Sequence, residues 1–228
     1  MFTPYDWQEG IGNRAQYIEG KLAHGAAVLA VSLDSGILVF TYRRQAQKIF
    51  EIYDRLIFGA LGQQSDIESI RLAALEFATR EGFERSDQDV TIQRVIMALS
   101  APMKRSFADF GGAPIVARSL FAEVHDTPGE DRYYMLDYDG DYSVSRNCAC
   151  AVGDSGVAQE VMNRLAEVKS SLTPESALEQ LEVLWSESMR GDADSEVAPA
   201  EGLNPEAVLL ERASGKENRF RVLVREEV

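Results

Sequence analysis

The side chains suited to nucleophilic or acid–base chemistry are few, and their spacing does not complete a catalytic set. The Asp-Ser-Gly turn at residues 154–156 lacks the Gly-x-Ser-x-Gly pattern of a nucleophile elbow, so a capped strand-to-helix loop is favoured. Cys148 and Cys150 alternate along a predicted strand and share one face, which favours a buried apolar role over a metal or redox site. For His24 and His125, packing or surface roles are favoured over acid–base catalysis.

Three aspartates, Asp137, Asp139 and Asp141, alternate beside a predicted hairpin turn. A calcium loop needs more oxygen ligands at set spacing, so solvated turn carboxylates are favoured. Zinc sites draw mainly on histidine and cysteine, and the chain has only two of each. We therefore predict neither a metal nor an organic cofactor.

Lys48 is a charged residue at the start of a predicted strand. Judged from the residues alone, it forms an exposed ion pair with Glu51, with Asp54 or with a neighbouring residue. Arg43 and Arg44 follow the second predicted strand directly, and this place fits the rim of a pocket and a plain surface equally well.

The charge balance excludes several classes of partner. The 228 residues include 37 acidic and 23 basic side chains, a formal net charge of −14, with 45% apolar and 26% charged residues. Nucleic acids and anionic membranes are bound by clustered Lys and Arg, so we predict neither as a partner. The N-terminus lacks the basic and apolar regions of a signal peptide, and no apolar run reaches the ~18 residues of a membrane-spanning helix. These features predict a cytoplasmic protein.

Helices and strands are predicted in alternating blocks. The predicted helices cover 13–24, 67–80, 90–108, 157–169 and a segment opening at Thr173, and the predicted strands cover 26–33, 37–42, 48–53, 56–61, 115–125, 131–138, 143–151, 206–213 and 218–225. Blocks of strands followed by paired helices are typical of antiparallel sheets with helices packed outside. Two such sheets between two helical layers give an α+β protein, a four-layer αββα sandwich, in a single domain over 1–228. An acidic, flexible loop is predicted at 191–202.

Several side chains predict where helices begin or end. Asp66 is the predicted cap of the second helix, and Ser86 or Asp89 that of the third. Pro102 lies inside the third helical pattern and predicts a kink or an early stop. Thr173 is the predicted N-cap of the last helix, because a proline follows it at the first helical position.

A specific combination of residue types and spacing runs from residue 47 to residue 91. Residues 47–62 read Gln-Lys-Ile-Phe-Glu-Ile-Tyr-Asp-Arg-Leu-Ile-Phe-Gly-Ala-Leu-Gly, and the pattern continues through Asp66, Arg71, 76–78 (Glu-Phe-Ala), 80–83 (Arg-Glu-Gly-Phe) and 89–91 (Asp-Val-Thr). Shorter matches are Tyr17 ahead of Gly25, the Gly36 hairpin and 152–156 (Val-Gly-Asp-Ser-Gly). On these residues the chain resembles the α-type subunits of proteasomes, in particular bacterial ones of the actinobacterial kind, over residues 14–190. The resemblance implies the four-layer sandwich shared by proteasome subunits and N-terminal nucleophile hydrolases.

The resemblance also implies that the chain is not itself a protease. Catalytic β-type subunits of similar fold expose an N-terminal threonine directly after the glycine that opens the first strand, and its hydroxyl attacks the peptide carbonyl. Here Ala26 and Ala27 follow Gly25, and the second-strand aspartate position falls on Tyr42. Lys48 stands at the place of the β-type lysine, but no nucleophile accompanies it.

In α-type subunits, a lysine at the place of Lys48 lines a pocket between neighbouring subunits. The resemblance implies that its ammonium pairs with the C-terminal carboxylate of an activator's tail, commonly one with a hydrophobic–tyrosine–any ending. Backbone amides near Gly25 and Gly62 are expected to complete this pocket.

The function that follows from the resemblance is that of a non-catalytic α-type subunit of a proteasome core particle. Copies form a homo-oligomeric ring, seven-membered in this family, which stacks on a ring of β-type subunits and docks an ATPase ring or other activator by its C-terminal tails. We expect residues 1–13 to form a flexible gate segment, the helix at 13–24 to pack between neighbours, and the loop at 191–202 to face outward. The family's Ser-Pro-Asp-Gly turn before the helix is absent here.

Two alternatives come from other classes of protein. A self-processing N-terminal nucleophile hydrolase with an unorthodox nucleophile would have to expose Ser32, Ser35 or Thr41 by cleavage. Since these residues lie within or between the first two predicted strands, such cleavage would destroy the hairpin. A ring that acts as a binding scaffold without β-type subunits is the other alternative, and the residues do not separate it from the α-type function.

Overall fold

Two five-stranded antiparallel sheets form the centre of the structure, a computed structural model that describes residues 4–189, 202–213 and 218–223. The helices are α1 (Pro4–Leu22), α2 (Gln64–Glu84), α3 (Ile92–Ala108), α4 (Ala158–Leu165) and α5 (Pro174–Ser188). The strands are β1 (Val28–Leu33), β2 (Gly36–Arg43), β3 (Ile49–Tyr53), β4 (Leu56–Gly62), β5 (Ala117–Glu123), β6 (Arg132–Leu136), β7 (Tyr142–Ser145), β8 (Cys148–Ala151), β9 (Asn204–Glu211) and β10 (Phe220–Val222). The first sheet has the order β10-β9-β2-β1-β8, and the second has the order β3-β4-β5-β6-β7.

The β1–β2 hairpin is buried on both faces, as its nearly continuous apolar sequence predicts. Alternate residues of β1 serve two cores because successive side chains of a strand point to opposite faces. Val28 and Ala30 belong to the core between the two sheets, whereas Leu29 and Val31 belong to the core shared with α4 and α5. The second sheet is covered in the same way by α2 and α3. The predicted four-layer αββα sandwich is therefore confirmed.

Helix α1 begins earlier than the sequence predicts. The sequence predicts a helix over 13–24 after a flexible segment 1–13. Within the described residues, the helix starts at Pro4 and ends at Leu22. Its glycine-rich first half is held from outside: Trp7 packs edge-on against Phe110 with ring centroids 5.0 Å apart, and Arg14 Nη2 donates to two backbone carbonyls at and beyond the end of α3. Tertiary contacts thus outweigh a weak local helix propensity.

The single strand predicted over 143–151 is wrong, because the structure has two strands there in different sheets. β7 pairs with β6 in the second sheet, while β8 pairs with β1 in the first. Asn147 takes a left-handed conformation (φ 67°) between them, and the chain crosses from one sheet to the other at this point.

Two predicted helix caps are wrong. Gln63 is the N-cap of α2, and the carboxylate of Asp66, inside the first turn, accepts a hydrogen bond from the Val116 amide at 2.8 Å. Thr91 is the N-cap of α3, preceded by a 3₁₀ turn at Asp87–Asp89, so neither residue predicted there caps it. In both cases the first turn is bound to a residue far along the chain: Asp66 to the Val116 amide, and the Ile92 amide to Glu123. A local sequence pattern contains no information about such contacts.

Helix α3 continues through Pro102 to Ala108, so the predicted early stop is also wrong. Buried Ile96, Leu99 and Met103 pack on the second sheet on both sides of the proline. This packing outweighs the loss of one backbone hydrogen bond. The Thr173 cap of α5 is confirmed, because its Oγ1 accepts from the Ser176 amide at 3.3 Å.

One predicted element lies outside the described residues. This is the acidic loop at 191–202, of which the structure describes only the last residue, Gly202.

Buried Arg118 ties helix α1 to both sheets. Its guanidinium donates to Glu19 of α1 at 2.8 Å, to Asp137 after β6 at 3.1 Å, and to the Val152 carbonyl after β8 at 2.8 Å. A buried arginine is tolerated only when its donors find acceptors in good geometry. This clamp therefore sets the place of the C-terminal end of α1, which leads directly into β1.

We expect Arg118→Ala to lower the free energy of unfolding by about 3 kcal/mol, because two carboxylates and a buried carbonyl lose their common partner. Urea denaturation of the purified chain measures the loss, and hydrogen exchange should show faster opening of α1 than of β1. Arg146→Ala, at an exposed arginine, is the control and should stay within about 0.5 kcal/mol of the parent. Equal midpoints for the two variants would contradict the clamp.

Candidate functional site

A cavity of about 720 Å³ lies where helix α1 ends and strand β1 begins. Its other walls are formed by the ends of β2 and β4, by the residues that precede β3 and β9, and by the first residue of α2. The three residues that the sequence predicts for an activator-tail pocket, Lys48, Gly25 and Gly62, all line this cavity. The fold therefore brings together residues that are up to 37 positions apart in the sequence (62 − 25 = 37).

The ammonium of Lys48 is half-buried and bound to a carbonyl instead of a carboxylate. Its Nζ donates to the Ala26 carbonyl at 2.8 Å, and within the described part of the chain no carboxylate oxygen lies within 4.0 Å of it. The predicted ion pair with Glu51 or Asp54 does not form, and Asp54 pairs with Arg219 instead. Burial lowers the pKa of Lys48 to about 8, with a smaller opposing effect of Glu206.

Glu206, at the start of β9, holds the chain segment that carries Lys48. Its carboxylate accepts from the Lys48 amide at 3.0 Å and from the Ile49 amide at 3.2 Å, and it pairs with Arg43 at 3.5 Å. Burial raises the pKa of Glu206, while the two amides and the arginine favour its charged form. Because three partners already use this carboxylate, it does not neutralise the Lys48 ammonium at contact distance.

Sequence reasoning missed Glu206, which is 158 residues from Lys48 along the chain. A signal was present: Glu206 is a lone acidic residue before the apolar run Ala-Val-Leu-Leu at 207–210. Glu206 is only 7% exposed, and a buried carboxylate must have hydrogen-bond or ion-pair partners. The neighbouring sequence does not show which residues these partners are.

The two glycines of the site have different roles. Gly62 has φ of 137°, and a Cβ there would lie 2.1 Å from the Val116 carbonyl oxygen, so only glycine allows β4 and β5 to approach this closely. The amide of Gly25 already donates to the Leu22 carbonyl at 2.7 Å and closes the end of α1. The Gly25 amide thus already has a backbone partner, and the completion of the pocket by amides near Gly25 and Gly62 stays a prediction.

Helix α2 begins at the cavity wall, where Gln64 lines it. Its N-cap residue, Gln63, makes no side-chain capping hydrogen bond, so the first amides of this 21-residue helix have no such partner. The positive end of the helix dipole thus faces the same cavity as Lys48. Asp66 in the first turn offsets part of this field, although its carboxylate is bound to Val116.

Arg43 and Arg44 also line the cavity. Of the two locations that the sequence left open for them, a pocket rim and a plain surface, the structure favours the pocket rim. His24 lines the cavity as well. The lysine and the two arginines therefore gather positive charge at the cavity on a chain whose net charge is −14. An anionic group is the ligand that this arrangement favours.

The positions around the start of β1 carry no nucleophile. Ala26 and Ala27 have methyl side chains, and the Ala27 carbonyl accepts from Thr41 Oγ1 at 2.7 Å. Ser32 Oγ is buried and hydrogen-bonded to the Tyr133 hydroxyl at 2.7 Å. Both hydroxyls are thus held inside the central hairpin.

The other residues that the sequence analysis considered for chemistry have packing or hydrogen-bonding roles in the structure. Cys148 and Cys150 are free, buried and on one face of β8, and burial raises the pKa of the Cys150 thiol to about 12. Asp154 accepts from the Gly156 amide at 2.8 Å, so the 154–156 turn is a capped loop as predicted. His125 donates its backbone amide to Asp131.

The three alternating aspartates do not converge. Asp137 binds Arg118, and Asp139 accepts from the Asp141 amide at 2.9 Å, as turn carboxylates do. No group of three His, Cys, Asp or Glu side chains suited to a metal ion occurs in the part of the chain that the structure describes. Among the helices of that same part, none combines the length and apolar character needed to cross a bilayer.

Comparison with known proteins gives a consistent result. The family described as "Proteasome subunit" matches residues 21–198. A protein named "Proteasome subunit alpha" from Jonesia denitrificans is 28% identical over 217 residues, which is 94% of this chain and 90% of the relative. The protein of the same name from Streptomyces avermitilis is 27% identical over 233 residues, 100% of this chain and 89% of the relative. One from Xylanimonas cellulosilytica is 34% identical over 130 residues, 56% of this chain and 53% of the relative.

We expect Lys48→Met to raise the free energy of unfolding at neutral pH by about 1–3 kcal/mol, since one pKa unit corresponds to about 1.4 kcal/mol and partial exposure discounts the shift. The folded-state pKa of about 8 lies below the ordinary 10.5, so the unfolded chain binds more protons between these values. The advantage of the variant is therefore full below pH 8 and disappears as the pH rises to 10.5.

Urea denaturation over this pH range measures the difference. Lys104→Met, at an exposed lysine of α3, is the matched control and should change little at any pH. A Lys48→Met variant that is less stable than the parent at neutral pH would show that the ammonium is not strained by burial.

Proposed function

The chain belongs to the proteasome subunit family, and we propose that it is a non-catalytic α-type subunit of a proteasome core particle. Full-length relatives named "Proteasome subunit alpha" support the subunit type. Ala26, at the place where β-type subunits carry their threonine, supports the absence of proteolytic activity in this chain. Free, buried cysteines are in keeping with a reducing, cytoplasmic location.

The proposed assembly is a homo-oligomeric ring, seven-membered as in the family, that stacks on a ring of β-type subunits. Helix α1 supports it, because along its described side chains only Ile18 and Leu22 are fully buried, whereas Trp7 and Tyr17 are 46% and 52% exposed. A 19-residue helix with aromatic side chains on its open face is suited to packing against a neighbouring subunit. Proteolysis is then the task of the β-type subunits.

The cavity around Lys48 is the proposed docking pocket for the C-terminal tail of an activator, such as an ATPase ring. One observation carries this proposal: the Lys48 ammonium is half-buried beside the cavity without a carboxylate partner in the described residues. A terminal carboxylate would supply the missing charge, and a compact ammonium suits a single carboxylate. The uncapped start of α2 and the guanidinium of Arg44 support an anion in the same place.

Residues 1–13 are the proposed gate at the mouth of the ring. Helix α1 already includes this segment from Pro4 onward, and contacts of Trp7 with Phe110 hold it. Gating by a helix is compatible with opening when those contacts are lost, because helix–loop contacts at the surface break at low cost. Docking of a tail beside Gly25, directly after α1, would act close to this element.

We expect Lys48→Ala to abolish activation by a peptide with a hydrophobic–tyrosine–any C-terminus, even at ten times the peptide concentration that activates the parent, because the terminal carboxylate loses the half-buried ammonium. Coexpression with β-type subunits gives the particle, native mass spectrometry confirms that its assembly is unchanged, and hydrolysis of a fluorogenic peptide reports activation. Lys104→Ala should respond as the parent does. Unchanged activation of Lys48→Ala would reject the pocket, and a shortened subunit mass would favour a self-processing hydrolase.

Deleting residues 2–12 should raise the basal rate of peptide entry into the assembled particle several-fold, because the segment would no longer restrict the mouth of the ring. The same fluorogenic peptide measures the rate. A particle already opened by tail peptide is the control and should gain little from the deletion. A basal rate that stays at the parent value would exclude a gating role for this segment.

A further inference from the structure

We propose that the Lys48 amine is a site of N-acylation by small acyl phosphates. The acylation follows from the surroundings of Lys48 and does not depend on the proposed function. Its consequence, the closing of the tail pocket, does rest on that function. Such a modification would switch off docking without changing the fold.

The surroundings of Lys48 disfavour its charged form. The hydrogen bond that Nζ makes within the described residues goes to the neutral Ala26 carbonyl. Glu206 is the acidic group that faces it, from β9, but this carboxylate is already bound to two amides and to Arg43. Arg43 and Arg44 line the same cavity from the end of β2, and His24 lines it beside α1.

These surroundings leave a substantial share of Lys48 in the nucleophilic, neutral form. Burial lowers the pKa of Lys48 to about 8. Near pH 7.5, roughly a quarter of the side chains are then neutral, compared with about 0.1% for an ordinary exposed lysine. Acyl transfer needs the neutral amine, so this difference raises the rate directly.

The cavity admits a small acyl donor and is suited to an anionic one. Its volume of about 720 Å³ exceeds what a phosphate with a short acyl group needs, and Arg44, an exposed residue, is part of its lining. Arginine binds phosphate oxygens in a planar, two-pronged geometry. The start of α2 at Gln64 adds amide donors with a favourable dipole.

The reaction balances without an oxidant or reductant. The neutral Nζ attacks the carbonyl carbon, and a nitrogen–carbon bond forms. The bond between that carbon and the phosphate oxygen breaks, and phosphate leaves with the electron pair. The proton released from nitrogen ends on phosphate. The amide product keeps one N–H for the Ala26 carbonyl and removes a buried charge.

Three other lysines in the described part of the chain are internal controls. Lys21, Lys104 and Lys169 are exposed, and Lys21 lies over the Tyr17 ring at 5.7 Å. None of them lines the cavity. Their ammonium groups are solvated, so they represent ordinary lysine reactivity in the same sample.

The test is acetylation of the purified full chain by acetyl phosphate, followed by peptide mapping with mass spectrometry over a range of pH. Near pH 7.5, Lys48 should react about tenfold faster than Lys21, Lys104 and Lys169, the larger neutral fraction being partly offset by weaker nucleophilicity. Its rate should level off above pH 8, where most Lys48 side chains are neutral. A rate for Lys48 equal to or below those of the exposed lysines, or no plateau, would overturn the proposal.

A comparison of donors tests the anion recognition. Arg44→Gln should slow the reaction of Lys48 with acetyl phosphate about threefold and leave its reaction with the uncharged donor p-nitrophenyl acetate unchanged. Arg146→Gln, at an exposed arginine outside the cavity, should change neither reaction. An equal loss with both donors would overturn the preference for an anionic leaving group.

Tail binding separates this inference from the proposed function. Bound tail peptide should protect Lys48 from acetylation, and acetylated particles should bind the peptide at least tenfold more weakly. Rapid acetylation of Lys48 together with unchanged peptide activation would retain the acylation and reject the tail pocket. Loss of activation in Lys48→Ala together with an unreactive Lys48 would retain the pocket and reject the acylation.

Discussion

The burial of the β1–β2 hairpin on both faces is the constraint on which the rest of the structure depends. One face of β1 packs on the second sheet, and the other packs on α4 and α5. Polar groups in such a place must be bound internally, as the Ala27 carbonyl is by Thr41 and by the indole of Trp185. Buried charged groups are bound internally in the same way, as Arg118 is by Glu19 and Asp137, and the cavity lies at the ends of the strands.

At the edge of the sandwich where the cavity lies, the carboxylate of Glu206 fixes the surroundings of Lys48. Glu206 binds the backbone amides of Lys48 and Ile49 and the side chain of Arg43, so it fixes the chain around the lysine without neutralising its ammonium at contact distance. The result is a positive charge held in place with a carbonyl as its hydrogen-bond partner. Such a group costs stability and is retained where binding needs it, which is why we propose the docking role for this cavity.

The position of Lys48 can be compared with that of a lysine in catalytic subunits of the same fold. On the family resemblance, Lys48 stands at the place where catalytic β-type subunits carry a lysine near their N-terminal threonine. Here the neighbouring residue is Ala26, and Lys48 binds its backbone carbonyl. In the function that we propose, the Lys48 ammonium, which has no carboxylate partner within the described residues, recognises an anion and takes no part in peptide hydrolysis.

The sequence by itself determined the elements whose causes are local: the two-faced hairpin, the Thr173 cap of α5, the shared face of Cys148 and Cys150, and the family pattern around Lys48. Only the tertiary structure decided the elements whose causes are distant. Strand pairing divides 143–151 between two sheets at Asn147, and the register that places Glu206 opposite Thr41 brings its carboxylate to Lys48. Hydrogen-bond partners and burial at these places come from segments far along the chain, and a local pattern contains no information about them.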